Sequence, residues 1–218
     1  MINYNKKPFP VDPHLYPIEQ DLCSFERGSV EDINGNRYRT LKAGDQEWML
    51  EDLKVTHYRN GDEILFGGLI DYKGEYKSLK DTGEGEYYCY SENNGLHINF
   101  DMNILFYNWY AVNDPRIIAP KGWRIPSEKD WLKISEYLCE HGLVVSKELE
   151  LFKYGTKHKT ACQYTAVNNY GNWWSTTQNL NNEACAFYDE SEHMNQLINY
   201  NFLCKTAGCH IRCVKQIN

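Results

Sequence analysis

Between Asn168 and Asn201 the chain interleaves carboxamides with aromatic rings. Asn168, Asn169, Asn172, Asn179, Asn181, Asn182, Asn195, Asn199 and Asn201 alternate with Tyr170, Trp173, Trp174, Tyr188 and Tyr200. A carboxamide both donates and accepts hydrogen bonds, and a tyrosine or tryptophan offers a flat amphipathic ring. Together they suit recognition of a glycan or a protein surface. Asn172, Trp174, Asn181, Tyr188, Asn199 and Tyr200 form the candidate ligand-binding set. Asparagine is also favoured in turns and tolerates left-handed backbone. Turn chemistry, with one ring of the Trp173–Trp174 pair buried in a core, is therefore the competing reading.

Other reactive side chains form weaker patterns. Asp189, Glu190 and Glu192 make an acidic cluster that suits either calcium or a solvated turn. Seven histidines, from His14 to His210, show no His-x-x-x-His spacing, and there is no Gly-x-Ser-x-Gly or phosphate loop. Cysteines stand at 23, 89, 139, 162, 185, 204, 209 and 213. Their even number permits a disulfide framework but does not fix its pairing. Cys204, Cys209, His210 and Cys213 have zinc-type donors without a paired Cys-x-x-Cys spacing. No catalytic residue, metal or cofactor is assigned.

Composition bounds the remaining classes. The chain has 218 residues, 42% of them hydrophobic and 14% aromatic, enough for a folded core. Its net charge of -7 comes from 30 acidic against 23 basic residues, with no basic run, which disfavours nucleic acid and anionic membranes. No apolar stretch is long enough to insert in a bilayer, and residues 1–20 are too polar for a signal peptide. If Met1 is the native start, the expectation is a cytoplasmic protein.

The elements that must position these residues are legible in part. Pro8, Pro10, Pro13 and Pro17 make residues 1–28 a proline-rich extension, leaving 29–218 as one domain. Asn34-Gly35 and Ala43-Gly44-Asp45 mark two turns of a β-meander from Ser29 to Leu53. The glycines between 60 and 97 predict long loops around a strand near Tyr87–Tyr90, and Phe100–Val112 reads as a helix or turn packed inward. Pro126, Ser127 and Asp130 start a helix in a capping-box pattern. Trp131, Ile134 and Leu138 line its apolar face, and Gly142 closes it. Short antiparallel strands are predicted at 173–177, 184–188, 194–199 and 209–215.

Five blocks occur in a recognisable order: Trp48-Met49-Leu50-Glu51-Asp52-Leu53-Lys54, Tyr107-Asn108-Trp109-Tyr110-Ala111-Val112, Gly122-Trp123-Arg124-Ile125-Pro126-Ser127 with Trp131, Trp173-Trp174-Ser175-Thr176-Thr177, and Ile211-Arg212-Cys213-Val214-Lys215. From Val30 to Lys215 this resembles the Fibrobacter succinogenes major paralogous domain. The Arg-Ile-Pro-Ser segment with Trp131 is also similar to a segment of formylglycine-generating enzymes. The resemblance implies an α+β, C-type-lectin-like fold with twisted antiparallel sheets, few helices and long ordered loops. It also implies a secreted or cell-surface setting if a signal has been removed. It favours a noncatalytic module with an unknown protein or glycan partner on the loop-rich face of residues 168–201. The alternatives are a cysteine- and copper-dependent oxidase or a purely structural surface protein. Lectin-type calcium motifs are missing, Val112-Asn113-Asp114 being a loose echo of one. Where many members carry a cysteine, this chain has Ala119, so the resemblance leaves Cys213 to find another partner or stay free.

Overall fold

The protein is described by a computed structural model over residues 25–71, 81–93, 98–141, 143, 172–188 and 199–217, with backbone alone at 70–71, 90–93, 98–104, 188 and 199. The proline-rich residues 1–24, Gly142, the acidic cluster at 189–192 and the expected strand positions 194–198 lie outside these residues. In chain order the elements are β1 (Arg27–Glu31), β2 (Arg37–Ala43), β3 (Gln46–Met49), β4 (Leu65–Asp71), β5 (Glu86–Asn93) and β6 (Ile98–Tyr107). They continue with α1 (Trp109–Val112), α2 (Glu128–Glu140), β7 (Asn172–Gln178), β8 (Ala184–Tyr188), β9 (Asn199–Leu203) and β10 (Val214–Gln216). The class is α+β, dominated by sheets that are mostly antiparallel.

The first sheet runs β1-β2-β3-β10. Its meander follows the predicted turns, with Gly35 and Gly44 both at positive φ. Asp32 organises the first turn: its carboxylate accepts from the backbone N–H groups of Asn34 and Asn36 and from the Tyr38 hydroxyl. β10 adds to β3 through Val214 opposite Trp48. The strand expected over 209–215 is thus only Val214–Gln216. The preceding residues instead make single bridges in succession, Cys209 to Tyr107 and His210 to Trp173, because they thread between the other two sheets.

The second sheet, β4-β5-β6, departs further from expectation. Phe100–Val112 is mostly strand, since β6 pairs with β5 through Tyr107, and only four residues after Asn108 turn helical. Leu105, Phe106 and Tyr107 are all buried. A strand covered on both faces reads as an unbroken apolar run, which periodicity cannot separate from a buried helix. β4 was hidden by Gly67 and Gly68, and it runs parallel to β5 rather than antiparallel. A parallel pair needs a return connection of roughly a dozen residues or more, which the chain between Asp71 and Glu86 supplies.

The third sheet, β7-β8-β9, lies between two apolar clusters. Successive strand side chains point to opposite faces. Trp173, Cys185 and Phe187 enter one cluster with Trp48 and Trp131, while Trp174, Ala184 and Ala186 enter the other with Tyr107 and Trp109. Both tryptophans of the pair are therefore buried, where one was expected.

Helix α2 covers the first of these clusters. Ser127 and Asp130 form the capping box, and Asp130 also receives both terminal nitrogens of Arg124 at 2.6 and 2.7 Å and the Gln46 amide at 2.9 Å. Burial alone would raise the Asp130 carboxyl. The hydrogen bonds from Arg124 and Ser127 outweigh it and hold the group below its ordinary range. One carboxylate thereby fixes the helix start to β3. Trp131 follows directly, 4.7 Å from Trp48 and 5.4 Å from Phe187 between ring centroids. Trp131→Ala should lower stability by about 3–5 kcal/mol, the range for deleting a buried large aromatic. Urea denaturation checks it, and a loss below about 1 kcal/mol would mean the ring is not the anchor of this cluster.

Candidate functional site

Strand register decides which predicted residues meet. Asn172 stands opposite Tyr188, and Tyr188 opposite Asn199, so these three form one transverse row across β7, β8 and β9. Tyr200, next along β9, is 42% exposed, and its ring lies 5.5 Å from that of Phe187. Four of the six candidates thus gather at one end of the third sheet. The side chains of Tyr188 and Asn199 lie outside the described residues.

The other two are elsewhere. Asn181 sits in the exposed turn between β7 and β8, at the opposite end of the sheet. There Asn179 organises the turn by accepting from the backbone N–H groups of Asn181 and Glu183. Trp174 is a correction: it is fully buried and donates its indole N–H to the Tyr107 carbonyl at 2.7 Å. A ring enclosed by a core cannot serve as a surface contact.

Beside the row lies a buried polar cluster that the sequence did not single out. His210 runs alongside β7, donating its backbone N–H to the Asn172 carbonyl at 2.8 Å and accepting from Trp174 N–H at 3.0 Å. Two residues on, the Arg212 side chain is 1% exposed and donates through Nε to Asp52 at 2.7 Å. Trp173 donates its indole N–H to the same carboxylate oxygen at 2.8 Å. The other Asp52 oxygen is 3.6 Å from His210 Nδ1, which also donates to the Leu105 carbonyl at 3.2 Å. The His210 ring packs 4.5 Å from Phe106.

The electrostatics follow from this geometry. Burial would push the Asp52 carboxyl up, but the charge of Arg212 and the hydrogen bonds from Arg212 and Trp173 hold it below its ordinary value. Burial lowers His210, and the opposing pull of Asp52 does not restore it, so the imidazole is held neutral. Asp52 is thus a charged hub at neutral pH, engaged by a guanidinium and an indole. The cluster offers a rigid support for β7 rather than a nucleophile or a base open to substrate.

The other sequence candidates are also occupied. Asp114 is ion-paired with Arg116 at 2.7 Å. Burial pushes the Cys209 and Cys213 thiols well up from their ordinary value, which keeps them protonated. Cys213 is a free thiol in the apolar cluster that also holds Ala119. Among the described residues, no three His, Cys, Asp or Glu side chains converge as metal ligands.

A family model described as the Fibrobacter succinogenes major domain matches residues 41–150. The chain belongs to this family. The matched span contains Trp48, Asp52, Trp109, Trp123 and Trp131, and it is shorter than the Val30–Lys215 extent of the five motif blocks. The third sheet with its asparagine row, His210 and Arg212 follow the matched span. No curated protein and no solved structure matches the chain.

Two tests bear on the polar cluster. Arg212→Met should destabilise by about 3–5 kcal/mol by leaving a buried carboxylate unpaired, and adding Asp52→Asn should recover part of that loss. Equal or additive losses by denaturation would show that the two groups are not coupled. The pH dependence has a defined sign. Below the ordinary histidine value of 6.5 the unfolded chain takes up a proton that folded His210 resists, so stability is lost as pH falls from there. Asp52, depressed in the fold, adds a second loss below 3.8. In His210→Asn, the thermal midpoint should change less between about pH 7 and pH 5 than in the parent protein. An unaltered slope would assign the acid sensitivity to another group.

Proposed function

We propose that this protein is a noncatalytic recognition module of C-type-lectin-like architecture that engages a protein or glycan at the end of the third sheet. The observation that carries the reading is the transverse row of Asn172, Tyr188 and Asn199 flanked by the exposed ring of Tyr200. Carboxamides in the row, with an exposed ring one position along β9 on the opposite face, suit a polar ligand with flat apolar patches that engages the rim at the sheet's end. The rigid cluster behind β7 supports it, since a site presented on a fixed strand loses less entropy on binding. The lectin-like arrangement is supported by β10 pairing with β3, which brings both ends of the described chain into one sheet.

Screening the full chain on glycan and protein arrays tests the reading. A saturable ligand is expected, with affinity reduced about tenfold or more by Tyr200→Ala or by Asn199→Ala with Tyr200→Ala. The thermal midpoint should shift by no more than about 2–4 °C, since little core is removed. Absence of saturable binding, or unchanged affinity in both variants, would sink the proposal.

A further inference from the structure

We draw no further inference here: the strongest candidate, the pair of buried polar side chains one turn apart on α2, Trp131 and Ser135, whose Nε1 and Oγ have no hydrogen-bond partner among the described residues, carries nothing because nothing in the structure shows what group would face them.

Discussion

The pairing of Arg212 with Asp52 is the contact on which the arrangement of the sheets depends. Asp52 follows the last residue of β3 closely, Trp173 belongs to β7, and His210 donates to the Leu105 carbonyl of β6. One carboxylate thus joins groups from all three sheets of the described structure. Removing a charge from water is costly, and the attraction offsets that cost only when geometry and additional hydrogen bonds are good. Here two short donors, from guanidinium and indole, reach the same oxygen, and a second cation-capable ring stands near the other. The pair therefore acts chiefly as a specificity device: a misplaced sheet would strand a charge.

That constraint explains why the third sheet presents so little of its aromatic content. With β7 clamped from behind through Trp173 and packed in front through Trp174, both faces of the sheet interior are used by cores. Recognition chemistry is left to its margins: β9, outermost in this sheet among the described residues, and the ends of the strands.

What could be read beforehand divides by sequence distance. The start of α2 was legible because its cap, Ser127 with Asp130, is local, and the meander was legible because Gly35 and Gly44 occupy turns that need positive φ. β6 was not, because Leu105, Phe106 and Tyr107 are buried on both faces and carry no alternation. The Trp173–Trp174 pair suggested one buried ring, an expectation that holds only for a sheet with one wet face. The row of Asn172, Tyr188 and Asn199 was named residue by residue, but its alignment came from strand register, which composition does not encode. The polar cluster was missed as a unit because its key partners stand 160 residues apart.

Closure of the first sheet by β10 carries a kinetic implication. Residues 209–214 touch β6, β7, the backbone after β3 and Arg124 in turn, like a thread drawn through finished panels. Contacts of such long sequence separation form slowly, since much of the chain must be ordered before they are rewarded. During synthesis, the earlier strands would emerge with β3 still lacking its neighbour and Asp52 its guanidinium. The described fold is complete only once β10 has left the ribosome, so residues 209–216 time its maturation.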